Sequence, residues 1–411
     1  MVSVMQTRTD MVVRSGDLKR ELVEFAQQPR FDRELGRAFD AYLDGVDGVA
    51  FVDEQHACNA MDYFLFQHRL EDSRTVVESF TATRPDLAEQ EREMLLGWRD
   101  VVEGLFEVRG RDGDALVMVN LVDELTYRVR SNMGTAAFRP MRSGSFLHTR
   151  LVPVGEQWLL SGISQIFAAR GRDALYQVAA QLSLRCPAWV FRNPEKLARG
   201  WELQRQDRAD FVEFFGADVV VLPGAEVAAA VDEFRAAQVR ARAATSGADP
   251  DSAPAPTTEL SDDLREAETV GLIYDEVEGL TFLAEFGTVQ AAFADPALVR
   301  RRPYRQAVQQ YLKDDSVSPL PFRRLAAADP DRAGEVFRHL LNRPRFRWDR
   351  DGEPLLRRYK PAFFDTPPLP SVIPVSDRAA GHLRPRRRST WTGLGRRSRQ
   401  RAAQPPLEFT G

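Results

Sequence analysis

Apolar residues recur every three or four positions through residues 17–104, which is the spacing of amphipathic helices. The strongest stretch follows Pro85, a residue that is favoured in the first turn of a helix, and places Leu95 and Trp98 on its apolar stripe. The pattern predicts four helices in this region: Asp17–Gln28, Phe31–Leu43, His56–Phe66 and Asp86–Val102.

The period changes near Leu105, where short segments rich in Val, Leu and aromatic residues begin. Turns at Gly110–Gly113 and Val154–Gln157 join two pairs of these segments as hairpins. Five strands so close together predict a small, highly curved sheet or barrel of the SH3-like or OB-like size class. The expected strands are Leu105–Arg109, Ala115–Leu121, Leu125–Arg130, Phe146–Val152 and Trp158–Ser161.

Helical spacing returns after Phe167, and a short strand and a hairpin interrupt it. The expected helices are Asp173–Leu184, Pro194–Gln204, Arg208–Phe215, Ala225–Ala244, Val289–Phe293, Pro303–Leu312, Ala333–Asn342 and Pro354–Tyr359. The expected strands are Val219–Leu222 and the hairpin Val270–Tyr274 with Leu280–Glu285. From Thr366 onward prolines and arginines dominate, and we expect no packed core there.

These patterns predict an α+β protein with helical regions around a small five-stranded SH3/OB-like β-barrel, a C-terminal α+β region and a disordered basic tail. We expect six regions: 1–104 helical, 105–167 the barrel, 168–244 helical with a short strand, 245–259 a linker, 260–365 α+β, and 366–411 the Pro/Arg-rich tail.

Charge is segregated along the chain. The net charge of −4 divides into −18 over residues 1–297, +7 over 298–376 (14 Arg and 2 Lys against 9 acids) and +9 over 378–401, with Asp377 and Glu408 outside these segments. Codon usage can account for an excess of Arg over Lys, but not for this layout. Such asymmetry indicates either a polyanion partner or attraction between the two parts of the chain.

The segment 378–401, here called the basic arm, holds nine arginines and no acid. Such a segment binds polyanions without sequence preference and with strong salt dependence, and Trp391 could stack on an unpaired base. The alternative is a solvated tail that docks on the acidic part of the chain. The expected contacts in the arm are Arg384, Arg386, Arg387, Arg388, Trp391, Arg396, Arg397 and Arg399.

A second group of basic residues is expected to extend that surface. Alternation in the third strand places Tyr127 and Val129 inward, and Arg128 and Arg130 outward. The run Arg300–Arg302 continues the positive charge. The secondary nucleic-acid contacts expected from the sequence are Arg128, Arg130, Arg300, Arg301 and Arg302.

Catalytic and cofactor motifs are missing from the sequence. It contains no phosphate-binding loop, no dinucleotide fingerprint, no H-E-x-x-H, no C-x-x-C and no G-x-S-x-G. We therefore expect no cofactor, no metal and no catalytic residue. The alternative is a hydrolase at the junction of barrel and helices, with His148, Glu107 and Asp123 as candidates.

Several segments resemble a family of uncharacterised bacterial proteins that often accompany SEC-C metal-binding motifs. They are Phe64–Phe80, GWRDVVEGLFEV (Gly97–Val108), LVPVGEQWLLSG (Leu151–Gly162), DDSVSPLPFRRL (Asp314–Leu325) and LLRRYKP (Leu355–Pro361). The resemblance implies neither a reaction nor catalytic residues. The SEC-C element itself, a short Cys- and Lys-rich zinc motif, is absent from this sequence.

We therefore expect a binding or adaptor protein that contacts RNA, DNA or a ribonucleoprotein through its Arg-rich C-terminal part. The alternatives are the hydrolase and an adaptor whose acidic and basic halves pair with each other. No run approaches the ~18 apolar residues that a membrane span needs. The first 25 residues also lack the apolar core of a signal peptide, so we expect a cytoplasmic protein.

Overall fold

The computed structural model describes residues 2–43, 54–246 and 257–374. Over these residues the chain divides into two compact units, up to Pro194 and from Glu195 onward. Both units combine helices with a β-sheet, which confirms the α+β class. The basic arm and residues 247–256 of the expected linker lie outside the described residues. The six expected regions stay predictions.

In the first unit, helices pack around a five-stranded mixed sheet. Its helices are α1 (Val2–Ala26), α2 (Asp32–Leu43), α3 (Glu54–Phe66), α4 (Val76–Ala82), α5 (Glu89–Gly97), α6 (Arg172–Arg185) and α7 (Pro187–Val190). Its strands are β1 (Val102–Asp112), β2 (Ala115–Asn120), β3 (Thr126–Arg130), β4 (Phe146–Val154) and β5 (Gln157–Phe167).

The sheet closes on itself in the order β1-β2-β3-β5-β4, because β4 also pairs with β1. One contact is parallel, where Val129 and Arg130 of β3 face Trp158 and Leu159 of β5. Its interior is apolar and includes Phe106, Leu116 and Tyr127. The alternation expected for β3 is confirmed at three positions, since Tyr127 and Val129 are buried and Arg128 is exposed, whereas Arg130, expected outward, is half-buried. The SH3-like or OB-like assignment stays a prediction.

The second unit contains a three-stranded antiparallel sheet of β6 (Val219–Leu222), β7 (Val270–Asp275) and β8 (Gly279–Ala284). Ile273 of β7 packs into one apolar cluster and Leu272 into another, as alternation along a strand requires. The helices are α8 (Pro194–Phe215), α9 (Gly224–Ser246), α10 (Asp262–Arg265), α11 (Phe286–Ala294), α12 (Arg302–Lys313), α13 (Leu320–Ala328), α14 (Pro330–Leu341), α15 (Glu353–Tyr359) and α16 (Ala362–Asp365).

Several expected element boundaries were wrong. The helix expected over Asp86–Val102 ends at Gly97, because Val102 pairs with Leu151 and so begins β1. The two helices expected on either side of Gln204–Arg208 form the single helix α8, with Gln204 fully buried on its inner face.

Helices α4 and α13 were missed. Helix α4 carries a recognisable signal, since Thr75 and Glu78 form a capping box in which each side chain binds the other residue's backbone N–H.

Candidate functional site

The secondary basic residues of the first unit are already paired. Arg128 forms an ion pair with Asp112, and Arg130 with Asp114 while it also donates to the Gln157 side chain. Asp112 ends β1, and Asp114 lies in the turn that joins β1 to β2, the strand that pairs with β3. Surface pairs of this kind add little stability, but they offset most of the local positive charge.

Arg300, Arg301 and Arg302 lie in the second unit, where Arg301 caps helix α12 and Arg302 begins it. All three are exposed, and none forms a salt bridge with another described residue. The positive end of the helix dipole adds to their charge, so the entry to α12 is a strongly positive surface.

Each of the three hydrolase candidates has partners within the fold. The Nε2 atom of His148 lies 3.5 Å from Oε1 of Glu103. Glu107 accepts from Arg172 at 2.9 Å, and Asp123 accepts from the Tyr127 hydroxyl at 2.6 Å. Each carboxylate is therefore engaged in contacts within the fold.

The structure instead brings together a buried ionic cluster that the sequence did not predict. Its members are Lys19 of α1, Asp62 of α3, Glu103 of β1 and Arg150 of β4. Register places Glu103 directly opposite Arg150, whose guanidinium donates to the carboxylate. Lys19 Nζ lies 2.7 Å from Asp62, and Arg150 Nε lies 3.9 Å from the same carboxylate. The cluster thus joins α1 and α3 to the closed sheet with balanced charge.

Burial and ion pairing shift the pKa values of Glu103 and Arg150 in opposite directions. Burial alone would raise the pKa of Glu103, but the charge of Arg150 outweighs it, with help from His148, and the pKa lies below its usual value. The pKa of Arg150 is raised, since Glu103, Tyr42 and Asp62 together outweigh its burial. Both shifts favour the charged forms, so Glu103 and Arg150 form an ion pair that holds β1 against β4.

A small cleft of about 260 Å³, which includes open solvent, lies beside the cluster. Lys19, Trp98 and Ser161 line it. Among the described residues, Asp62 is the only acid that forms an ion pair with Lys19 Nζ. The buried indole Nε1 of Trp98 has no hydrogen-bond partner among the described residues. The cleft is smaller than usual ligand sites, and a water molecule is sufficient to satisfy the indole.

The described ranges contain neither a metal-binding cluster nor a membrane-spanning helix. No group of three or more His, Cys, Asp or Glu side chains is arranged there to hold a metal ion. His68 lies 3.0 Å from Glu34, whereas Asp62 binds Lys19 and Ser161. In the same ranges no helix has the length and apolar character of a membrane span.

The buried cluster and the closed sheet lie in a segment that is similar to a known protein family. Residues 17–185 match a family of unknown function (DUF7986). The match runs from Asp17, within α1, to Arg185 at the end of α6, so it contains every member of the ionic cluster and none of the second unit. No curated protein and no solved structure matches the chain. The resemblance to proteins that accompany SEC-C motifs stays a prediction.

Proposed function

We propose that this chain is a non-catalytic binding protein that contacts RNA, DNA or a ribonucleoprotein through its basic arm. The observation that carries the proposal is the arm itself, with nine arginines and no acid over residues 378–401. Arginine matches phosphate with a planar fork of donors, and every neutralised phosphate releases counterions. Trp391 lies between the two arginine groups and offers a face on which a base can stack.

The second unit supports the proposal with a further positive surface. Arg300, Arg301 and Arg302 are exposed at the start of α12 and have no acidic partner among the described residues. Arg128 and Arg130 support it less, because Asp112 and Asp114 offset their charges.

Two alternatives have less support. The hydrolase proposal needs His148, Glu107 and Asp123 to act together, but each of them has its own partners in the fold. Pairing between the acidic and basic halves of separate chains is tested by mass measurement over a salt series. A mass that does not change with salt argues against it.

The test is retention of labelled 20-mer RNA and single-stranded DNA by the full chain at low salt. A variant with all nine arm arginines replaced by glutamine, Arg378 to Arg401, is the matched control. We expect the natural chain to retain both polymers and the variant to retain much less. No retention by the natural chain at low salt would overturn the proposal.

A further inference from the structure

Two of the segments that the sequence singled out meet on one aromatic ring. Arg323 lies on α13, Arg357 on α15 and Phe364 on α16. The guanidinium carbon of Arg357 lies 4.4 Å from the centre of the Phe364 ring, and that of Arg323 lies 5.3 Å from it. One half-buried aromatic ring therefore orients two arginines that are 34 positions apart in sequence.

Glu353 completes the group. Arg323 donates to it from Nη2 at 2.8 Å and from Nε at 3.3 Å, whereas Arg357 Nη2 remains 3.9 Å away. The Arg323 and Arg357 side chains are 45% and 62% exposed. Glu353 thus holds Arg323 in a two-point contact but leaves most donors of Arg357 directed to solvent, and the three charges sum to +1.

Hydrogen bonds fix the turn that carries Phe364. Lys360 is buried, and its Nζ donates to the backbone carbonyls of Tyr311 at 2.6 Å and Asp314 at 2.5 Å, at the end of α12. The Phe364 N–H in turn donates to the Pro361 carbonyl at 2.9 Å. The ring is therefore held in place before any partner binds, which lowers the entropy lost when the arginines are ordered.

From this arrangement we infer that Arg323, Arg357 and Phe364 form a preorganised phosphate-binding site for single-stranded nucleic acid, here called the Phe364 site. The inference rests on the proposed function and locates a contact for it within the described residues. Arg357 supplies the phosphate fork, and Arg323 presents a second guanidinium plane against which a base or sugar can pack. Phe364 and Glu353 are positioning residues.

The test measures binding of a labelled 20-mer oligouridylate to the full chain by fluorescence anisotropy at several salt concentrations. The test variant is Arg323→Gln with Arg357→Gln. The matched control is Arg347→Gln with Arg350→Gln, which removes the same charge from the same unit at side chains that are 66% and 62% exposed.

We expect the test pair to weaken binding about tenfold and to lower the slope of log K against log salt by about 0.7, for the one phosphate contact that Arg357 makes on a single strand. The control pair is expected to weaken it by less than about twofold, because general charge loss acts weakly at a distance. Arg323→Lys with Arg357→Lys keeps the charge and is expected to bind more weakly than the natural chain, because lysine has no planar fork.

Phe364 is tested by conservative exchange. Phe364→Leu is expected to weaken binding, whereas Phe364→Tyr keeps the ring and is expected to bind like the natural chain. If the two variants have equal melting temperatures and bind equally, the ring does not orient the arginines. Equal losses in the test and control pairs would overturn the Phe364 site and leave the proposed function intact. No binding of the oligouridylate by the natural chain would overturn both.

Discussion

Arg150 of β4 faces Glu103 of β1 in the register of the closed sheet, and both side chains are at most 1% exposed. The guanidinium also donates to the Gln67 side chain and so connects this pair to the helix layer. A buried charge needs its partner, because the interior cannot solvate it once the partner is removed. The pair therefore makes the first unit sensitive to single substitutions in a way that surface pairs are not.

Arg150→Met is expected to lower the free energy of unfolding by about 3–5 kcal/mol, because it leaves the Glu103 carboxylate buried without its main partner. Denaturant titration of the full chain measures this change. The double variant Glu103→Leu with Arg150→Met is expected to be more stable than the single variant, since no buried charge is then left alone. A single variant within about 1 kcal/mol of the natural chain would show that the pair is not buried as described.

Acid should weaken the first unit through Glu103, whose pKa lies below the usual 4.5. A carboxylate with a lowered folded pKa contributes stability above its unfolded value and loses it as pH falls through the folded value. The stability difference between the natural chain and Glu103→Gln is therefore expected to be largest above about pH 5 and to shrink toward pH 3. Glu89→Gln, at an exposed position, is the matched control.

Lys360 should also make stability rise with pH, but in the alkaline range. Burial lowers its pKa from 10.5 to about 8, although Asp314 and Asp315 act to raise it. The unfolded chain then binds more protons than the folded one between about pH 8 and 10.5, so this group adds stability as pH rises through that window. A neutral amine still has two N–H groups, which can donate hydrogen bonds to the backbone carbonyls of Tyr311 and Asp314.

The measurement is the stability difference between the natural chain and Lys360→Met, followed from pH 7.5 to 10. It should increase with pH, and Lys313→Met, at an exposed position, is the matched control. A difference that falls with pH would mean that Lys360 is charged and stabilised by its acceptors.

Gln204 should limit the local opening of the segment around Ser371, which precedes the basic arm in sequence. Its buried amide accepts from the Ser371 N–H at 2.6 Å and donates to the Glu276 carbonyl at 2.8 Å. Gly279 permits this approach, because a Cβ there would meet the Ser371 hydroxyl and its φ is +71°. Gln204→Leu is expected to speed hydrogen exchange at the Ser371 amide at least tenfold, since that bond is lost. Gln206→Leu, on the exposed face of α8, is the control, and equal exchange in both variants would contradict the assignment.

Strand positions were predictable where period and turn chemistry agree, as in β6, which the sequence placed at Val219–Leu222 without error. The alternation of Tyr127 and Arg128 also followed from the pattern alone. Helix ends were less predictable, because the pairing of Val102 with Leu151 joins residues far apart in sequence and overrides the helical spacing.

The buried cluster could not be read from the sequence. Glu103 and Arg150 look like ordinary polar positions in their strands, and only the β1–β4 register makes them neighbours. The Phe364 site has the same origin, since Arg323 and Arg357 come from different helices. The positive run at Arg300–Arg302 was visible in the sequence because charge content needs no tertiary contact.

The salt dependence of binding by the full chain tests the central claim most directly. The logarithm of the association constant for a single-stranded 20-mer, plotted against the logarithm of salt concentration, should fall with a slope of about −0.7 for each phosphate contact. We predict a steep slope for the natural chain and one shallower by several contacts when the nine arm arginines are replaced by glutamine. Identical slopes for the two proteins would contradict the assignment of nucleic-acid binding to the basic arm.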